Sequence, residues 1–68
     1  MSKEAMRQLE GSQVSVALRD GGRLDDCQLV SAPRGQSRMV WLFDGLMDVF
    51  VPVTDIVAVW EPAPARAA

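Results

Sequence analysis

Between Gly11 and Leu29 the chain contains a pattern that few folds accept. Val14, Val16 and Leu18 alternate with Ser15, Ala17 and Arg19, the period of a strand with one buried face. Asp20-Gly21 follows at once, and both residue types tolerate the positive φ that a tight hairpin turn requires. The next strand, expected over Arg23 to Ala32, then breaks the alternation: Leu24 and Cys27 are three apart, Cys27 and Leu29 two apart. A flat strand cannot send all three side chains inward, so the spacing predicts a bulge or sharp bend at Asp25-Asp26. A strand bent in this way serves two parts of one closed sheet, and the stretch therefore points to a small barrel.

The rest of the chain continues in short strands. Ser2 to Leu9 predicts a helix, with Ser2 as N-cap, Glu4 in the first turn, and Ala5, Met6 and Leu9 on one face. Ala32 to Ser37 is a loop. Arg38 to Phe43 is a third strand, Asp44-Gly45 a turn, and Asp48 to Val51 a fourth strand ended by Pro52, which cannot donate to a ladder. Val53-Thr54-Asp55 reads as one tight, 3₁₀-like turn before a fifth strand from Ile56 to Glu61. The expected fold class is mainly β: a five-stranded, strongly bent antiparallel barrel of SH3-like kind with a short N-terminal helix. One domain is expected over residues 1–61, with residues 62–68 a disordered tail.

Composition restricts how such a fold is stabilised. A chain of 68 residues buries only about 60% of the surface that its unfolded form exposes. One cysteine leaves no intrachain disulfide, and with no histidine there is no zinc-type ligand set, so neither a metal nor a cofactor is expected. Hydrophobic residues make up 49% of the chain, more than so small an interior can hide, which points to homo-oligomerisation. The net charge of −2 argues against a general nucleic-acid binder relying on phosphate neutralisation. No apolar run approaches a signal peptide or the ~20 residues of a membrane span. With a single free thiol, the expected location is the cytoplasm.

The order of a helix and five bent strands with a tight turn before the last resembles the Sm-like family, which includes a bacterial RNA chaperone. The likeness rests on Gly11-x-x-Val14-x-Val16-x-Leu18-x-Asp20-Gly21-x-x-Leu24 and on Val51-x-x-x-x-Ile56-x-x-Val59, and with the helix it spans roughly residues 3–61. It implies an Sm-like strand order, ring assembly and RNA as ligand. Three departures are visible. The family places a glycine where the second strand bends, and here that residue is Asp26. The chaperone's aromatic-Lys-His triplet is replaced by Pro52, Val53 and Thr54. The loop between strands two and three, an RNA-contacting segment in Sm proteins, holds Pro33-Arg34-Gly35.

Candidate chemistry is sparse. Asp25 and Asp26, with Asp20, could hold a cation, but adjacent strand residues face opposite ways and hairpin ends favour Asp for local hydrogen bonding. Cys27, among apolar neighbours, reads as a small buried hydrophobe. With no histidine or tyrosine, general bases and nucleophiles are few, and no enzymatic activity is expected. Arg19, Arg23, Arg34 and Arg38 form the positive cluster that could bind RNA phosphates along a rim; solvated surface is the bland alternative. In the third strand Val40 and Leu42 oppose Met39, Trp41 and Phe43. In the fourth Val49 and Val51 oppose Phe50, and in the fifth Val57 and Val59 oppose Trp60. One set must cover the outside, so Trp41, Phe50, Val51 and Trp60 are expected at the helix or at a subunit interface formed by strands four and five.

Two functions are carried forward. One is a noncatalytic Sm-like module that binds single-stranded RNA as a homo-oligomeric ring. The other is a protein-interaction adaptor or regulator using the apolar strand face, without nucleic acid.

Overall fold

The computed structural model describes residues 3–62; the expected Ser2 cap and all of the tail beyond Pro62 lie outside them. A helix, α1 (Lys3–Gln8), precedes β1 (Gln13–Leu18), β2 (Arg23–Ser31), β3 (Met39–Phe43), β4 (Asp48–Pro52), a 3₁₀ turn (Val53–Asp55) and β5 (Ile56–Trp60). The strands form one antiparallel sheet of five in the order β4-β3-β2-β1-β5. The expected closure is not seen: the sheet is open, with β4 and β5 at its two ends. These strands are consecutive in the chain, yet the 3₁₀ turn carries the backbone from one edge to the other instead of folding it back as a hairpin.

The expected bend in β2 lies where the spacing puts it. Opposite β1 the register steps from Val14↔Cys27 to Val16↔Leu24, two residues against three. Asp26 takes the extra position at φ 57°, the left-handed region that glycine, Asn and Asp enter most readily. A second irregularity, from Leu29↔Leu42 to Ser31↔Trp41, re-aims the far end of β2 toward β3. Cys27 and Leu29 are buried and Leu24 is half-buried.

One expected face assignment is corrected. Val57 and Val59 do not share a face: Val59 is buried, and Val57 is 56% exposed. Between Ala17↔Ala58 and Leu18↔Ile56 the register loses a residue of β5. The bulge puts Ile56 and Val59 inside together and turns Val57 outward.

The interior is aliphatic. Val14, Val16, Cys27, Leu29, Val40, Leu42, Ile56 and Val59 form it, and Met6 of α1 caps it with no exposed surface. A six-residue helix is marginal alone, so α1 depends on this packing; burying Met6 contributes about 1.5–3 kcal/mol. The segment after the helix is fastened to β2 by Gly11 N–H donating to the Leu29 carbonyl at 2.7 Å and Leu29 N–H donating to Ser12 at 3.0 Å. The aromatic set lies on the opposite side from this core, so the helix does not cover it.

Candidate functional site

The 3₁₀ turn between β4 and β5 gathers distant parts of the chain. Arg19 N–H donates to the Asp55 carbonyl at 2.8 Å, and Arg19 Nε donates to the Thr54 carbonyl at 2.9 Å. On the other side, Val53 N–H donates to the Arg38 carbonyl at 2.7 Å. The turn thus binds the end of the first hairpin and the end of the β2–β3 loop together. Beside it opens a cleft of about 610 Å³ lined by Lys3, Pro33, Gly35, Gln36, Ser37, Arg38 and Val53. Neither Lys3 nor Arg38 is ion-paired among the described residues. The cleft therefore offers two uncompensated cations, a carboxamide and an apolar wall, a set suited to an anionic ligand with a flat, hydrogen-bonding body.

The other two arginines are engaged. Arg34 Nη2 donates to both Glu10 carboxylate oxygens at 2.9 and 3.0 Å, and its Nε donates to Ser31 Oγ at 3.2 Å. Arg23 Nε donates to Asp25 Oδ1 at 3.0 Å, and its guanidinium lies 5.3 Å from the Trp60 ring centroid. Hydrogen bonds from Ser15 and Arg23 hold the Asp25 carboxyl below the usual carboxylate range. The four sequence-predicted arginines are thus distributed: Arg19 and Arg38 at the 3₁₀ turn, Arg34 on Glu10, and Arg23 over Trp60.

The aromatic residues also divide. Trp41 and Phe50 stack on the outer face with centroids 5.7 Å apart and planes at 26°, and Trp41 Nε1 donates to Asp48 Oδ1 at 2.9 Å. Val51 is half-buried against the core, and Trp60 lies on the far edge strand. Sequence reasoning missed that a cation sits beside the stacked pair: Arg34, Ser31 and Met39 share a groove of about 160 Å³ with Trp41 and Phe50. The signal was the irregular pairing of Ser31 with Trp41, which linear spacing does not reveal. Val51 also lines an apolar cleft of about 240 Å³ with Leu18, Arg19, Asp20 and Asp55, linking the β4 edge to the turn that precedes β5.

Two further titratable groups, Asp44 and Cys27, sit in local structural settings. Asp44 Oδ1 accepts from Leu46 N–H at 2.8 Å and Met47 N–H at 2.9 Å, which holds its carboxyl below the usual range. Burial, reinforced by Asp44, Asp25 and Asp26, pushes the Cys27 thiol up, the opposite of what a reactive thiolate needs. Among the described residues, no three His, Cys, Asp or Glu side chains are grouped to hold a metal. No helix there is long and apolar enough to cross a membrane. No protein-family model, curated protein or solved structure matches this chain.

Proposed function

We propose that this chain is a noncatalytic Sm-like module that assembles with copies of itself and binds single-stranded RNA, in the cytoplasm, at the cleft beside the 3₁₀ turn. The observation that carries the reading is the Val53 N–H to Arg38 carbonyl bond of 2.7 Å. It joins the β2–β3 loop to the connection before the last strand, the two segments through which the family that the sequence resembles contacts RNA. Lys3 and Arg38 would take phosphate, while Gln36 and Ser37 would address a base edge. The chaperone's lysine and histidine are absent, so its uridine preference is not carried over.

The open sheet supports assembly. Both end strands offer unpaired backbone, and β4 of one copy can add antiparallel to β5 of the next, a heterologous contact that closes into a ring. Barrel closure would then be completed across subunits. The exposed side chain of Val57 and the outer rings of Phe50 and Trp60 would lie at that joint.

Light scattering with an absorbance ratio for bound nucleic acid, followed by titration of labelled oligo(U) and oligo(A), tests both halves. The reading requires a mass of several chains and salt-sensitive binding that Lys3→Ala plus Arg38→Ala abolishes. Binding unchanged in that variant, or none to either oligonucleotide, sinks the RNA assignment. The exposed Trp41–Phe50 stack favours a second reading, an adaptor that docks a protein. A single partner at constant stoichiometry, with no RNA shift, would select it.

A further inference from the structure

The outer face of β3 and β4 is apolar without being part of the cleft above. Met39, Trp41, Phe43 and Phe50 all point outward there, and Phe50 is 55% exposed. Carboxylates border the Phe43 end of this row, while Arg34, held by Glu10, lies at the other end beside Met39, Trp41 and Phe50. Asp48 pairs across the strands with Phe43, Asp44 follows Phe43 in the chain, and Asp26 shares a cleft of about 350 Å³ with Phe43 and Gln28. None of the three is ion-paired among the described residues. An aromatic strip with an acidic border suits a proline-rich segment carrying a cation, since proline rings pack on aromatic faces with little ordering entropy.

The chain encodes such a segment directly after β5: Glu61-Pro62-Ala63-Pro64-Ala65-Arg66. In an antiparallel pairing of β5 onto a neighbour's β4, the Trp60 end of β5 lies at the Asp48 end of β4, because β4 runs from Asp48 to Pro52. The segment is thereby delivered to the acidic border. At about 3.1 Å per residue in an extended proline-rich form, it reaches past two strands set ~4.8 Å apart, far enough to place Arg66 near the Asp26 cleft.

We propose that the Trp41–Phe43–Phe50 face is the docking surface for residues 62–66 of a neighbouring copy, with Pro62 and Pro64 on the rings and Arg66 among Asp48, Asp44 and Asp26. The proposal rests on the assembly through β4 and β5. It gives the outer face an occupant from within the same chain, so that ring formation would cover both the edges and the aromatic strip.

The test uses the full chain with Trp60→Phe, so that emission reports Trp41 alone, with and without Pro62→Ser, Pro64→Ser and Arg66→Ala together. Light scattering and acrylamide quenching are read on the same samples. The expected result is an oligomeric mass in both and quenching that rises about twofold in the triple variant, as one ring face loses its cover. A peptide of residues 61–68 should reverse the rise. Unchanged quenching at an oligomeric mass overturns the docking and leaves the assembly standing. The mass of a single chain, read on the parent with Trp60 in place, overturns the assembly and, with it, the delivery of the segment by a neighbour.

Discussion

Glu10 and Arg34 form a clasp between the end of the helical segment and the β2–β3 loop. Both carboxylate oxygens accept from Arg34 Nη2, and Oε2 also accepts the Ala32 N–H at 2.7 Å. The Glu10 side chain is only 21% exposed, so the bond to the Ala32 amide lies in a partly dry setting. Such charge-assisted bonds are worth more than a neutral surface pair. Glu10→Ala should lower stability by about 1–2 kcal/mol, because the amide of buried Ala32 loses its acceptor. Urea unfolding measures this; a midpoint equal to that of the parent would show the clasp to be decorative.

The same clasp separates two arginines that are close in sequence. Arg34 is held by a carboxylate, while Arg38 has no ion pair among the described residues and faces the cleft with Lys3. If RNA is bound, Arg38→Ala should weaken it and reduce the slope of log affinity against log salt by about 1 for each phosphate no longer neutralised. Arg34→Ala should change both far less. Equal losses from the two variants would place the phosphate path along the loop and not in the cleft.

The bend of β2 was legible because it leaves a trace in one dimension: Leu24, Cys27 and Leu29 cannot share a face without an extra residue, and Asp26 supplies it. The bulge in β5 left no such trace. Ile56-Val57-Ala58-Val59 is apolar throughout, so alternation fits either face, and the pairing with Leu18 decides which way Val57 turns. The candidate site was hidden for another reason. Glu10 and Arg34 are 24 residues apart, and Lys3 and Arg38 line one cleft through tertiary packing alone, so neither association appears in any local pattern. Sequence proximity suggested one arginine cluster; the backbone distributes it.

Asp26 offers a direct check of the bend. At φ 57° an ordinary L-residue is strained by roughly 1–2 kcal/mol, and a β-branched one more. Asp26→Gly should therefore leave stability within about 0.5 kcal/mol of the parent or raise it slightly, since relief of strain offsets the greater freedom of the unfolded chain. Asp26→Val should lower it by about 1–2 kcal/mol. Chemical denaturation of the pair decides the matter. A valine as well tolerated as glycine would mean that β2 is not bent at this residue.

Stability should fall at both ends of the pH scale for separate reasons. Hydrogen bonds to the ionised Asp25 and Asp44 carboxylates lower their folded pKa values. Their stabilisation is present above the unfolded carboxylate value of about 3.9 and is lost as pH drops through the lower folded values. Cys27 works in the opposite sense. Burial raises its folded pKa, so its contribution holds below the unfolded thiol value of about 8.5 and is lost as pH rises through the folded one. Urea midpoints across pH should show a shallower acid decline in Asp44→Ala and a shallower alkaline decline in Cys27→Ala. Variant curves parallel to the parent at both ends would remove these groups from the account.

Assembly through the sheet edges makes the sharpest demand on Val57. Its side chain is 56% exposed on an edge strand, where the bulge turns it away from the core, so the isolated fold gains little from it. A charge there obstructs the addition of another strand, because pairing would have to desolvate it. Val57→Lys should keep the strand signature in circular dichroism, while its urea midpoint falls, because the variant lacks the stability that assembly adds to the parent. By light scattering it should have the mass of one chain where the parent has that of several. Phe50→Lys on the opposite edge should do the same, and mixing the two variants should not restore rings, since each blocks one half of a head-to-tail joint. An oligomer that survives both substitutions would mean that the copies meet somewhere other than β4 and β5.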